Sequence, residues 1–352
     1  MSGFLSGTAA RLTWRRLVTV MAIAVVATAI VAVIAPLIGI VGGRGGWHLD
    51  LLGLDALDAG SPEHAILWVR LPRVLASLVT GAALAGAGCA LQALLRNPLA
   101  EPFTLGISSG ASLAAVLAIR FGVEGVFGAV GIGGAAMIGA AGTLVVVARL
   151  ARIGHRLPPA TLVLAGVTMS MFCSSVSTLI QWTSDFTDIN HMVQWMIGGM
   201  ETIRLVTVGY AALPIAGALA VLLLHARELN ALAAGPEVAA SLGVAVGRTQ
   251  NVIFATASLL VGAAIAVCGP IGFIGLVVPH ALRAVIGPDH RLLLPASMFG
   301  GGLVLAVCDT LARTVIPLHH LPTGAVTPVL GVPVFVAILI SHKQRALLWG
   351  RG

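Results

Sequence analysis

The sequence predicts an all-α, polytopic membrane protein of about ten spanning helices in one domain (residues 1–352), and three observations predict it. The first is composition: 58% of the residues are hydrophobic and 9% are charged, against roughly 25% charged in a soluble domain. A surface that poor in charge suits lipid, not water. The second is segmentation, because apolar runs recur along the whole chain. The third is the uneven distribution of Arg and Lys between alternate connections.

A hydrocarbon core of about 30 Å needs roughly 20 helical residues. The first run, 17–40, follows Arg11, Arg15 and Arg16 and is long enough to span, so it reads as a retained helix and not a cleaved leader. Residues 41–68 read as an outer loop, with Gly42, Gly43, Gly45 and Gly46 and then Asp50, Asp55, Asp58 and Glu63. Runs 69–95, 105–119, 126–147 and 161–182 follow. Gly81, Gly86 and Gly88 lie in the second run, and Gly131, Gly133, Gly134, Gly139 and Gly142 in the fourth. Small residues let helices approach closely where lipid supplies no hydrophobic drive. Residues 185–204, with Trp195 and Met196 at their centre, read as a short amphipathic helix at the outer interface.

Run 206–224 leads to the polar stretch 226–250 on the inner side. Runs 252–267, 271–286, 292–311 and 326–340 complete the ten. Gly269–Pro270 and Pro279 bracket the eighth, which predicts a turn followed by a kinked or broken helix covered by protein or lining a cavity. An inner N-terminus (1–16) and an even number of spans place the C-terminal residues 341–352 inside as well. Fourteen Arg and Lys then lie inside and six outside, a positive-inside bias that fixes the expected orientation.

Several chemistries are missing. No GxxxxGK[ST] loop is present, so the chain is not expected to hydrolyse nucleotide, and no cofactor or metal site is expected. HExxH, GxSxG and kinase-type sets are absent. Cys89, Cys173, Cys268 and Cys308 form no CxxC pair. Lys343 is the single lysine and no basic run occurs, which argues against nucleic acid. Asp309 is the main acidic residue inside a span. Ion-coupled carriers need buried ionisable groups, so an ion-coupled secondary transporter is the alternative this scarcity disfavours. An intramembrane enzyme would need a convergent nucleophile, base or metal set, and no such spacing occurs.

Three stretches carry a resemblance. One is Arg70-Leu-Pro-Arg73 with Leu91-Gln-Ala-Leu-Leu-Arg-Asn-Pro-Leu-Ala-Glu-Pro102 and Thr104-Leu-Gly-Ile-Ser-Ser-Gly110. The next is Gly269-Pro-Ile-Gly-Phe-Ile-Gly-Leu-Val-Val-Pro-His280, followed by Gly287-Pro-Asp-His-Arg291. The last is Leu321-Pro-Thr-Gly-Ala-Val-Thr-Pro-Val-Leu-Gly-Val-Pro-Val-Phe335. Together they closely resemble the FecCD-type permeases, the membrane subunits of bacterial ABC importers for iron-siderophores, haem and cobalamin. The likeness runs from about Arg70 to Lys343.

The resemblance implies a type II ABC importer permease fold in the bacterial inner membrane. It also implies a homodimer, two cytoplasmic ABC ATPase subunits and a periplasmic substrate-binding protein. It gives Arg70, Arg73 and Arg313 the task of accepting glutamates from the binding protein, for which a guanidinium fork suits a carboxylate. The residues themselves leave interfacial anchoring open for Arg70 and Arg73, and an i,i+4 pair with Asp309 open for Arg313.

Within 226–250 the resemblance implies a coupling loop seated in the ATPase, carried by Gly235, Glu237, Ala239, Leu242 and Gly243. It maps the cytoplasmic gate to Asn97 and Leu99 and to Pro159 and Ala160. The second pair departs from the family's small hydroxyl residues, so an apolar plug is expected there. Helix-end turn chemistry is the other reading of these positions. His48, His64, His191, His319 and His320 fall on the expected outer side, where neutral imidazole could meet a haem cargo. Cargo must be released, which speaks against tight ligation.

Overall fold

The computed structural model describes residues 13–43, 46–52, 58, 60–154, 156–201, 203–316 and 321–349. Its helices, in chain order, are α1 (Trp14–Leu37), α2 (Pro62–Leu94), α3 (Ile107–Arg120), α4 (Val123–Ala151), α5 (Pro159–Trp182), α6 (Phe186–Ile197) and α7 (Leu205–Leu224). The rest are α8 (Ala226–Ala234), α9 (Pro236–Ser241), α10 (Val246–Cys268), α11 (Ile274–Ile286), α12 (His290–Thr314) and α13 (Thr323–Trp349). Each of the ten apolar runs carries a helix. Seven helical stretches are long and apolar enough to cross a membrane, whereas Ile107–Arg120, Ile274–Ile286 and Thr323–Ala337 are shorter.

α2 is the axis of the bundle, packed against α12, α10, α11 and α7. Ser61 caps its start, accepting the His64 N–H at 3.1 Å, and Pro62 occupies the first turn, where its missing N–H costs nothing. Its glycines set the packing. A Cβ on Gly81 would run into the Gly301 carbonyl and Gly302, and one on Gly88 into the Gly275 carbonyl. These are backbone-to-backbone contacts that no side-chain adjustment relieves. Gly88→Leu is therefore expected to cost more than the roughly 1–3 kcal/mol of ordinary overpacking and to collapse the yield of monodisperse protein. Gly134→Leu is the control: a Cβ there meets nothing within 4 Å, so its thermal midpoint should match the wild type.

The connection expected as a plain outer loop, 41–68, is structured. β1 (Ile38–Gly43) and β2 (Gly46–Leu51) form an antiparallel hairpin, with Ile38 opposite Leu51 and Gly43 opposite Gly46. The first spanning helix accordingly ends at Leu37 and not at 40, and Leu52 N–H closes the hairpin onto the Leu37 carbonyl at 3.0 Å. At the other end α2 already begins at Pro62. Residues 13–16 of the expected N-terminal tail form the cap and first turn of α1, and 341–349 of the expected C-terminal tail continue α13. Residues 1–12 and 350–352 lie outside the described residues.

Two short helices begin inside the bundle. α3 has 14 residues, about 21 Å, and α11 has 13, about 20 Å; neither reaches across a core of about 30 Å. α10 stops at Gly269 (φ +68), a conformation open to glycine, and the chain then runs without regular structure to Phe273, itself left-handed (φ +70), before α11 starts. This junction is covered by protein. The Gly199 N–H bonds the Cys268 carbonyl at 2.9 Å, and the Gly324 N–H bonds the Gly198 carbonyl at 3.1 Å. Irregular backbone at membrane depth requires such cover.

The amphipathic segment expected at 185–204 is α6, which turns Met192 fully inward. The stretch 226–250 is not a loop throughout: it comprises α8, α9 and the first turn of α10.

Candidate functional site

Two regions hold the residues singled out by sequence, one at each end of the bundle. At the α1–α2–α12 end, Asp309 is wholly buried, and Arg73 and Arg313 are 5% and 6% exposed. Arg73 Nη2 donates to Asp309 Oδ1 at 2.9 Å, and Thr323 Oγ1 donates to the same oxygen at 3.0 Å. Arg313 Nε lies 3.2 Å from Asp309 Oδ2, a charge contact between residues one turn apart. That contact lacks hydrogen-bond alignment. Two guanidiniums thus share one carboxylate.

The arginines also finish α1. The last carbonyls of a helix have no partners of their own and carry its negative end. Arg313 Nη2 donates to the Ala35 carbonyl at 3.2 Å and Nη1 to that of Ile38 at 3.4 Å. Arg70 Nη1 approaches the Pro36 carbonyl at 3.4 Å. Its guanidinium lies over Gly39, where a Cβ would collide with it. Arg70, Arg73 and Arg313 are therefore brought together. Arg73 and Arg313 are occupied inside the chain and present no guanidinium to a partner in this conformation, while Arg70 is half-buried. The i,i+4 pair was legible from the spacing; Arg73 reaching Asp309 across 236 positions was not.

At the opposite end, α8 and α9 form an elbow. Leu229, Leu232 and Ala239 turn inward, and α8 rests on α2 and α12. Gly235, buried at the bend, holds φ +125 and ψ 152, a region closed to residues with a Cβ. Gly243 (φ +83) turns the chain out of α9. Glu237 and Gly243 are exposed, and Leu242 is 68% exposed. Leu242 and Gly243 border a hollow of about 500 Å³ with Arg227, Glu228 and Thr249. Of the five predicted residues, Glu237, Leu242 and Gly243 thus face outward, and Gly235 and Ala239 shape the elbow from within.

A hydrogen-bond set missed by sequence reading ties this elbow to α12. Asn230 Nδ2 donates to Asp289 Oδ1 at 2.8 Å, and Asn230 Oδ1 accepts the His290 N–H at 2.8 Å. Asp289 caps α12 through the Arg291 N–H at 3.1 Å. The Arg291 side chain grips its carboxylate and holds its pKa down from 3.8 to about 2, with Asn230 adding to the effect. A depressed carboxyl pKa stabilises the fold fully above 3.8, and the stabilisation fades as pH falls through about 2. Asp289→Ala should therefore lose about 1 kcal/mol of cap stability, with no change in that loss between pH 5 and 8 in thermal melts. The Gly287-Pro-Asp-His-Arg291 stretch already showed a cap signal, Asp just before a helical run.

Next to the elbow lies the connection from α2 to α3. Asn97 Oδ1 accepts the Leu99 N–H at 3.0 Å, an Asx turn that spends the side chain locally. Leu99, Asn97 and Ala160 are exposed, and Pro159 is half-buried at the start of α5. A Cβ on Gly235 would sit 3.6 Å from Arg96 Nη1, so the Arg96 side chain lies beside the elbow. Four residues beyond Asn97, Glu101 Oε1 accepts the Phe273 N–H at 2.6 Å. That bond places a carboxylate at the positive end of α11. Ten full crossings would put 96–104 and 268–273 on opposite faces. They meet because 269–273 runs back into the bundle: Gly88, beside Gly275, is six residues from the end of α2, about 9 Å. Glu101 was missed because its partner lies 172 positions away.

The two described outer histidines have separate surroundings. His64 Nε2 accepts the Trp68 indole N–H at 2.7 Å within one turn of α2, and His191 is exposed on α6. His319 and His320 lie outside the described residues, as does the side chain of His48. Among the described residues no three His, Cys, Asp or Glu side chains converge as a metal site.

Comparison with known proteins follows this geometry. The profile of the FecCD transport family matches residues 49–341. The cobalamin import system permease protein BtuC of Halobacterium salinarum is 38% identical over 83% of this chain and 78% of its own length. The hemin transport system permease protein HmuU of Yersinia pestis is 38% identical over 80% of this chain and 85% of its own. The vitamin B12 import system permease protein BtuC of Escherichia coli is 37% identical, with 80% and 85% covered. A solved structure described as an inward-facing conformation of a metal-chelate type ABC transporter superposes with a TM-score of 0.76 at 29% identity. That superposition covers 93% of this chain and 98% of that one.

Proposed function

The chain belongs to the FecCD transport family, and from that premise we propose that it is the membrane-spanning permease of an ABC importer for a metal chelate of the siderophore, haem or cobalamin class. Two copies pair around a central path in the inner membrane, with both termini in the cytoplasm. A binding protein delivers cargo at the Arg70 end, and two ATPase subunits bind at the α8–α9 elbow. This chain performs no chemistry on the cargo. The observation that carries the reading is the elbow itself: an exposed leucine on a two-helix corner, backed by buried glycine and alanine and hydrogen-bonded to the head of a long bundle helix.

The mechanism is mechanical. ATP-driven closure of the ATPases moves the elbow. Asn230 passes that motion to Asp289 and His290, and so to α12. Arg96, whose guanidinium lies beside Gly235, and the Glu101–Phe273 bond pass it to the connection bearing Asn97 and Leu99. That segment, with Pro159 and Ala160 across the path on α5, opens and closes the inner mouth. Pro159 and Ala160 supply an apolar seal with no hydroxyl. Asn97 shapes the turn, and Leu99 provides the plugging surface.

At the outer end, Arg70 receives a binding-protein carboxylate, while Arg73 and Arg313 stand behind it, held by Asp309. Charge pairs at a rim steer encounter and fix register. Arg70→Glu should slow docking on the order of tenfold at low salt. The difference should shrink as salt screens it. Association rates measured by surface plasmon resonance across a salt series check this, and salt-independent loss would point to misfolding. The function as a whole is tested by loading the binding protein with ferric siderophore, haem or cobalamin and measuring ATP hydrolysis by the assembled complex. One cargo class should stimulate hydrolysis above the empty binding protein. No stimulation by any of the three would remove metal chelates from the reading.

A further inference from the structure

A second charged region adjoins the elbow on the side of α4 and α10. Where α4 ends and α10 begins, Arg152, Arg156, Arg248 and Asn251 wall a hollow of about 650 Å³, floored by Ala240 and residues 244–247. Its size falls within the roughly 300–1,000 Å³ of ligand sites. No Asp or Glu lines it. Arg152 Nη2 donates to Asn251 Oδ1 at 3.3 Å, a neutral partner. None of the three arginines forms an ion pair among the described residues. Guanidiniums stay protonated at every working pH, so the hollow carries three exposed positive charges with no carboxylate among its lining residues.

The surroundings name the kind of anion. Leu150 and Ile153 flank Arg152, each 63% exposed, and Val145 and Val146 above them on α4 are exposed as well. In a membrane-spanning helix such residues face acyl chains. The hollow therefore opens on the line where lipid-facing surface gives way to charge, where a phosphate joined to a hydrocarbon tail satisfies both. Basic hollows between spanning helices at this level suit anionic headgroups. A carboxylate from a protein partner would answer the charge and leave the apolar flank unexplained.

We propose that this hollow binds the phosphate of an anionic phospholipid from the adjoining leaflet, with Arg152, Arg156 and Arg248 as its ligands and the acyl chains along the end of α4. The site is independent of the transport reading, since it needs only a bilayer at this end of the bundle.

The test uses the intact complex with its ATPase subunits in mild detergent. Native mass spectrometry counts retained phosphatidylglycerol, with phosphatidylcholine as the neutral competitor. The wild type should retain phosphatidylglycerol, and added phosphatidylglycerol but not phosphatidylcholine should raise its thermal midpoint. The Arg152→Gln, Arg156→Gln, Arg248→Gln triple variant should retain about tenfold less. Arg149→Gln, on the same helix end but outside the hollow, should retain as much as the wild type. Equal retention by the triple variant overturns the proposal, as does no retention by the wild type. Displacement by inorganic phosphate with the same thermal gain would make the site one for free anions. Loss of the ATPase subunits from the triple variant with lipid retention unchanged would assign the hollow to a protein partner. Either result also ends the proposal.

Discussion

Asp309→Asn is expected to destabilise the chain by about 3–5 kcal/mol, the cost of leaving a buried charge without its partner. Asp309 is wholly buried, and both arginines it serves are almost so. The amide keeps the shape and the hydrogen bond from Thr323, but it removes the only charge that Arg73 and Arg313 are described as meeting. A loss of this size is a large share of a typical stability of about 5–15 kcal/mol. It should appear as low accumulation and a lowered thermal midpoint of the purified complex. Adding Arg73→Met should recover part of the loss, because one orphaned guanidinium goes and Arg313 keeps the Ala35 and Ile38 carbonyls. The same variant separates two functions for this acid. In an ion-coupled carrier, the Asp309→Asn protein that does fold loses coupling. In the permease described above, the folded fraction still transports with ATP.

Leu242→Asp is expected to abolish transport, with about a 30-fold or greater loss of assembly between permease and ATPase, since an interface anchor replaced by a charge loses about 2–4 kcal/mol or more. Leu242 is 68% exposed on the outer corner of the elbow, so the single chain has no structural need for it. The permease should therefore fold with an unchanged thermal midpoint while co-purification of the ATPase fails. Ala239→Asp is the contrast: Ala239 is fully buried, and its loss should unfold the elbow itself. Asn230→Leu should sit between the two. Assembly and hydrolysis persist, but the ratio of cargo moved to ATP consumed falls, because the bonds to Asp289 and His290 are gone.

The helices were readable because lipid imposes a simple rule: a long apolar run must satisfy its own backbone, and a helix does so. The seven long spans follow directly. The hairpin was missed because Gly42, Gly43, Gly45 and Gly46 read as loop and Gly39 as the end of the first span. Yet apolar residues at 38–41 and 47–51 on either side of a glycine-rich break are a strand signal. At the site, local chemistry was legible and distant pairing was not. The Asp309–Arg313 spacing and the Asp289 cap lie within a few residues. Arg73–Asp309, Asn230–Asp289 and Glu101–Phe273 join positions 236, 59 and 172 apart. Only the fold brings them together, because α2 runs through the bundle and the α10–α11 junction dips into it. That is also why, of the arginines expected at a docking surface, Arg73 turns to Asp309 and Arg313 to the end of α1.

Passage driven by a cytosolic ATPase by way of the α8–α9 elbow is measured as uptake of the cargo-loaded binding protein's ligand into proteoliposomes, with ATP inside, by complexes carrying wild-type or Leu242→Asp permease, and by permease alone. Uptake is expected for the wild-type complex and for neither of the other two. Uptake by the permease alone, driven by an ion gradient and indifferent to ATP, would contradict the elbow-driven mechanism.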